Sequence, residues 1–326
     1  NHDFFIGYTH RYQTYIDSTL ANINEKNFIP GLFIQDEMRL RFNLSVLAGL
    51  RVDHHMHHGL IYSPRLNVKW NPETHTTVRL NGGTGFRTVN LFTEDHAALT
   101  SARDVYVIEE LKPEESYNLN LNVNHVFDLG NSSGTIDFDV FYTHFTNKIL
   151  PDYETNQNQI IYANLDGFSV SRGVAFNLQQ NFEIPLRITV GTTFLDVYSI
   201  NDNGEEEEEI FTPSFSGVFS VSYQLDKHDA SIDWTGKVYG PMNLPTYEEP
   251  FNRPNSSPWF TLQHFQLNKR FNRQLSTYFG VKNLFDYTQT SPLIDADNPF
   301  GDDFDTAYAY GPMQGRRFVL GVRYNL

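Results

Sequence analysis

The stretch that most constrains this chain is YNLNLNVNHVF, residues 117–127. One set of alternate positions reads Tyr117, Leu119, Leu121, Val123, His125 and Phe127. The other reads Asn118, Asn120, Asn122, Asn124 and Val126. Period two is the signature of a strand with two unlike faces. The pattern recurs. In FSGVFSVSYQL, Phe215, Gly217, Phe219, Val221, Tyr223 and Leu225 oppose Ser216, Val218, Ser220, Ser222 and Gln224. VAFNLQQNF, SIDWTGKVYG and the final FVLGVRYNL alternate in the same way. About fourteen such strands can be read.

Their connections alternate in length. Residues 71–76, 128–134, 183–187, 226–229 and 272–274 make short turns. Between them lie long stretches at 88–113, 151–159, 199–213, 240–258 and 286–317. Short turns at one rim and long loops at the other are the pattern of an outer-membrane barrel. The polar rows fit the same answer. In water, the rows of bulky side chains would be contiguous apolar stripes, which soluble monomers avoid. Facing lipid they are at home, and the asparagine rows then line a wet lumen. A closed barrel also satisfies every backbone N–H and C=O, as a bilayer requires. Trp70, Tyr142, Trp234 and Trp259 are candidates for interfacial girdles.

Two strands fit this pattern badly. FTLQHFQLNKRF switches phase near His264 and Phe265. GLFIQDEMRL puts Asp36 in register with Leu32, Ile34 and Met38, so either a bulge re-aims Asp36 or it lies near a rim.

Composition excludes several classes. The net charge of −15 opposes a nucleic-acid partner, whose phosphates would repel it. There is no cysteine, hence no disulfide, thiolate metal site or cysteine nucleophile. No window approaches the ~18 consecutive apolar residues of a membrane helix. The opening NHDFFIGYTHRYQTYI starts almost inside a strand, so the chain is expected to be a piece of a longer protein.

At this point the residues resemble a known family. SPRLNVKWNPETHTTVRLNGGTGFRTVNLFTE (63–94) is similar to a barrel segment of TonB-dependent outer-membrane receptors. LKPEESYN (111–118), FIQDEMRL (33–40), GVKNLFDY (280–287) and GRRFVLGVRYNL (315–326) resemble further strands of that family, in the right order. The final Leu326 departs from the aromatic residue usual there. The resemblance implies an all-β, antiparallel transmembrane β-barrel. Residues 1–326 would supply about 14 C-terminal strands of a 22-stranded barrel, as one domain. The plug, its TonB box and the early strands would precede residue 1. It also implies TonB as partner, the outer membrane of a Gram-negative bacterium, short turns at the periplasm and long loops outside.

Several clusters could carry chemistry. DHHMHHG (53–59) sets His54, His55, His57 and His58 around Met56 at an extracellular tip. Imidazole and thioether suit copper, zinc or haem iron; the other reading is a polar loop that happens to be rich in histidine, since two ligands in one loop do not make a closed site. In extended conformation His55 and His57 would share the lumen face with Arg51 and Asp53. DADNPFGDDFD (295–305) gathers Asp295, Asp297, Asp302, Asp303 and Asp305, an oxygen-rich loop for calcium or simply a solvated one. NGEEEEEI (203–210) reads as an exposed charge run. GGTGFR (82–87) lacks the helix that a phosphate loop needs, and its Arg87 either meets an anionic ligand or pairs with a neighbouring acid. No nucleophile elbow or other catalytic arrangement appears.

The expected function is therefore transport without bond chemistry. A scarce solute (ferric siderophore, haem, cobalamin or another metal complex) binds the outer loops and upper lumen. TonB then drives its import, and a surface lipoprotein is an optional partner. The alternatives are a passive channel of about fourteen strands and an adhesin or structural barrel.

Overall fold

The computed structural model describes residues 1–17, 23–88, 104–152, 159–301 and 303–325. The chain begins with β1 (His2–Asp17), β2 (Ile23–Arg41), β3 (Leu44–His55), β4 (Gly59–Glu73), β5 (Thr76–Arg87) and β6 (Asp104–Val107). There follow β7 (Glu114–Asp128), β8 (Ser132–Asn147), β9 (Ile149–Asp152), β10 (Gln159–Asn164), β11 (Gly167–Phe182) and β12 (Leu186–Asn201). The last are β13 (Glu206–Glu208), β14 (Phe215–Leu225), β15 (Ala230–Tyr239), β16 (Phe260–Arg270), β17 (Leu275–Lys282) and β18 (Arg317–Tyr324).

One antiparallel sheet dominates, in the order β1-β2-β3-β4-β5-β7-β8-β11-β12-β14-β15-β16-β17-β18. β13 pairs with β12 beside this path, which makes fifteen strands in all. Each strand of this path pairs with the next one along it, the skipped β6, β9, β10 and β13 lying in the connections, so the sheet is a meander. Among the described residues no ladder joins β1 to β18, and the barrel is not closed. The short connections all fall at one rim. At the other rim, all but the turn 56–58 are longer, and they carry the remaining strands. There β6, β10 and β9 form a separate three-stranded sheet around the buried Ile160 and Tyr162.

Register shows what the alternation is for. Leu121 pairs with Leu80 and Val140, and Val123 with Val78 and Phe138. The intervening Asn122 pairs with Arg79 and Asp139. Among the described residues no protein core covers the bulky set. Ile6 is 78 % exposed and Leu320 77 %, far outside what an aqueous surface tolerates in row after row. This is the lipid-facing band.

The two irregular strands resolve differently. Asp36 stays in the lipid phase, opposite Phe4. It lies near the short-turn rim, where the His2 ring meets its carboxylate at 2.8 Å; the bulge between Arg39 and Arg41 comes later. The phase switch at His264 and Phe265 is not there. β16 runs unbroken, with Phe260, Leu262, His264, Gln266 and Asn268 inward and Thr261, Gln263, Phe265 and Leu267 outward. The pattern misleads because the inward Phe260 is packed under outer loops, while the outward Gln263 accepts the Trp234 indole N–H at 2.9 Å. Trp234 therefore sits within its strand, not at a rim, and its partner on the neighbouring strand answers the indole's need for an acceptor. Trp70 lies near the short-turn rim. Tyr142 and Trp259 lie toward the outer rim, where Trp259 extends an aromatic row with Phe215 and Phe194.

Candidate functional site

The lumen wall is built from amides and carboxylates that bind one another across strands. Asn122 accepts from Arg79 at 2.9 Å and donates to Asp139 at 3.1 Å and Asp137 at 3.3 Å. Asn124 donates to Asp137 at 2.8 Å, and Asn81 to Asn120 at 3.2 Å. A second ladder centres on Asp233, which accepts from Ser222 at 2.6 Å and Asn268 at 2.8 Å. Within these two ladders the amides and carboxylates are already partnered.

At the outer end of β3, Arg51 grips Asp53 through two 2.7 Å bonds, and Asp53 is fully buried. The close approach needs Gly31: a Cβ there would meet the Asp53 carboxylate at 2.3 Å. His55 is buried too. Its Nδ1 accepts from the His57 backbone N–H at 3.3 Å, and its ring stacks on His58 with centroids 4.5 Å apart. His54 falls in the opposite phase, opposite Leu60. The turn thus brings His55, His57 and His58 together and leaves His54 aside. Arg87 has found an acid: its Nε donates to Glu114 at 2.6 Å, and Glu114 also accepts the Ile149 backbone N–H.

Over the lumen face of β15 and β16 stands a loop core that the strand pattern did not signal. Met242, Leu244, Tyr247, Phe260, Ile294 and Tyr308 are buried together, flanked by Phe211, Tyr239, Phe251, Tyr287 and Tyr310. Segments 240–259 and 283–316 are thereby one unit. Tyr247 donates to Asp305 at 2.6 Å, and Tyr308 to the Pro254 carbonyl at 2.7 Å. Gln289 is a buried clamp, donating to Tyr308 O and accepting from the Tyr310 and Gly311 N–H groups. Asn283, at positive φ, accepts from Tyr287 N–H and donates to its carbonyl, while its own N–H donates to His264 Nδ1 at 3.1 Å. Burial, then neighbouring Tyr310, push the Tyr287 phenol up to about 12. Tyr308 is raised for the same reasons. The aromatic density of 239–260 and 285–310 was the available signal, since a freely solvated loop has no use for it.

The acidic loop divides. Asp305 is buried and structural, binding Tyr247 and the Ala307 N–H. Asp295 stands at positive φ in a turn; Asp302 lies outside the described residues. Among the described residues no three imidazole or carboxylate groups converge as a metal cage. Elsewhere on the outer rim, Asp202 raises the Asp166 carboxyl above its usual range.

An antiparallel meander with a lipid-facing band, a polar lumen and folded outer loops is the geometry of the family described as TonB dependent receptor-like, beta-barrel, and that family's profile matches residues 1–284. The chain belongs to this family. The ferric enterobactin receptor PirA of Pseudomonas aeruginosa is 23% identical over 322 residues, covering 90% of this chain and 41% of that protein. The iron-regulated outer membrane virulence protein of Vibrio cholerae is 28% identical over 154 residues, covering 45% of this chain and 23% of that protein. A crystal structure of the P. aeruginosa ferric enterobactin receptor PfeA, a mutant in complex with enterobactin, superposes with a TM-score of 0.70 at 18% identity. That match covers 99% of this chain and 51% of the other. The chain thus spans about half the length of the relatives it matches along its whole length. Family and apolar band together put these TonB-dependent receptor strands in an outer membrane. The member of a receptor family is not an enzyme, and nothing supports the passive-channel alternative.

Proposed function

We propose that the chain forms barrel wall and outer loops of a receptor that captures a ferric siderophore outside the cell and imports it with energy delivered by TonB. The observation that carries this reading is the relative matched over 90% of the chain, which is a ferric enterobactin receptor. The wall geometry supports it. The amides and carboxylates of its two ladders are bonded to one another, so that part of the lumen is a fixed wet surface that need not rearrange as cargo passes. TonB would act through a plug, and these strands would serve as its frame. Haem, cobalamin and other metal complexes are the remaining cargo classes. The His55–His57–His58 turn, at the outer mouth, is the proposed first contact.

The test is growth on ferric enterobactin under iron limitation, in a strain lacking its own receptors for that siderophore and carrying the complete gene. Growth that disappears when tonB is deleted supports the reading. Failure to grow, with the barrel folded in the outer membrane, sinks the siderophore assignment. His55→Ala with His57→Ala should weaken cargo binding and leave the folded barrel intact.

A further inference from the structure

The glutamate run at 205–209 is divided among three tasks. Glu205 stays within its own turn, where it accepts from the Asn201 amide at 3.1 Å. Glu209 and Glu208 reach in opposite directions. Glu209 accepts from the Lys148 ammonium, between β8 and β9. Glu208 accepts from the Asn243 amide at 2.6 Å, at the edge of the loop core. Backbone bonds run alongside: Phe211 N–H donates to the Asn243 carbonyl at 2.8 Å and Ser214 N–H to that of Pro241 at 3.3 Å. The Phe211 ring packs against the buried cluster of the loop core. The hairpin 202–214 is thus fixed on both sides.

The contacts continue away from the loop core. Leu165 N–H donates to the Lys148 carbonyl at 2.7 Å, and Asp202 N–H to that of Asp166 at 3.1 Å. Asn164 ties this segment to the chain before β7. Its N–H donates to Glu109 at 2.7 Å, its side chain donates to the Glu110 carbonyl at 2.9 Å, and it accepts from Lys112 N–H at 2.8 Å. Glu114 then binds both Arg87 and the Ile149 N–H. With Tyr247–Asp305 and Tyr308–Pro254 at the other end, the bonds run along the outer rim from the end of β5 to the loop before β18. The Lys148–Glu209 pair sits in the middle, its side chains 17 % and 25 % exposed. It is the one ion pair among the described residues with both members mostly covered; Arg172–Asp196 and Arg270–Asp229 are about half exposed or more. A covered pair is screened less by salt, and loss of one member leaves the other charge short of its partner.

We propose that the hairpin 202–214 couples the outer loops of these strands into one cooperative unit, through Lys148–Glu209 on one side and Glu208–Asn243 on the other. Segments that share such bonds open together and not one by one. The use of this coupling in capture rests on the siderophore reading: cargo that orders one loop orders the others with it, and the coupling is reciprocal.

Amide hydrogen exchange tests this, read by mass spectrometry on the receptor made from its complete gene and held in lipid nanodiscs without cargo. Lys148→Met cuts the hairpin from β8 and β9. It should speed exchange at the Met242, Leu244 and Ser257 amides, which are bonded within the loop core, at least about fivefold. Glu208→Ala cuts the other bond and should speed exchange at the Leu165 amide. Arg172→Gln breaks a pair outside this path and should leave the loop-core amides at the parental rate. The reversed pair, Lys148→Glu with Glu209→Lys, should restore them. Glu209→Ala carries the same test if Lys148→Met does not fold. If Lys148→Met speeds only its own neighbours, such as Leu165, while the loop-core amides keep the parental rate, the loops open separately and the inference is overturned. Ferric enterobactin added to the parent should slow the loop-core and Leu165 amides together, and slowing of one set alone also overturns it. If the variants behave as expected and ferric enterobactin slows neither set, the coupling stands and the siderophore reading falls.

Discussion

Leu121→Arg tests the face assignment on which the rest depends. Leu121 is the central residue of β7, outward-facing, between Leu80 and Val140. If hydrocarbon covers that face, an arginine near the bilayer midplane costs about 2–4 kcal/mol. At about 1.4 kcal/mol per decade, the folding equilibrium constant drops by roughly one and a half to three orders of magnitude. If water covered it, Leu121 being already 38 % exposed, the change would fall within the ~0.5 kcal/mol typical of surface substitutions. Two controls sharpen the result. Tyr117→Arg lies four residues outward on the same face, about 13 Å along the strand and nearer the interface, where the penalty falls to about 0–1 kcal/mol. Ser220→Arg turns the same charge into the lumen and should escape the lipid penalty. The assay is reversible unfolding of the full barrel in lipid vesicles, by urea titration with tryptophan fluorescence. Equal effects at Leu121 and Tyr117, or a Leu121 effect within surface range, would refute the reasoning.

Three further outcomes are expected. Asn122→Leu takes one donor each from Asp137 and Asp139 and the side-chain acceptor from Arg79 and should destabilise the barrel by about 1–3 kcal/mol, since a half-buried guanidinium that loses its acceptor bears a desolvation cost; the same vesicle titration reads it. Asp305→Ala removes the acceptor for Tyr247 and the Ala307 N–H and should speed limited proteolysis of segments 240–259 and 283–316 while the barrel's thermal transition stays put. Tyr287 favours its neutral form in the fold, because its pKa is raised from 10 to about 12. Its stabilising contribution is therefore complete below about pH 10 and lost as pH climbs through 12. In an alkaline titration at 295 nm, the phenol that vanishes in Tyr287→Phe should be among the last to ionise.

The wall was legible and the mouth was not, for a physical reason. A strand between lipid and water prints its two environments on alternate residues, so Leu119, Leu121 and Val123 announce one and Asn118, Asn120 and Asn122 the other. The strand order follows because each connection is either too short to reach beyond a neighbour or lies on the outer rim. Where a third environment intrudes, the code fails: Phe260 points inward into the loop core, and the alternation alone reads it as a change of phase. The loop core depends on contacts between segments some fifty residues apart, Tyr247 with Asp305 and Tyr308 with Pro254, which no local period records. Arg87 shows the same limit on a smaller scale. That Glu114 stands across the ladder and pairs with it could be read only from the register. The histidine turn was legible as a cluster, but not its division into three neighbouring rings, of which His55 and His58 stack, and one turned away.

The outer loops 240–259 and 283–316 share one interior, and this shapes how the receptor's exterior can change over generations. A surface loop held only at its ends drifts freely under pressure from antibodies or phage. Here an alteration at Tyr308 must be answered beside Pro254, and one at Asp305 beside Tyr247. The pair therefore varies as a single inherited module, and a graft of either loop alone into another barrel should arrive unfolded.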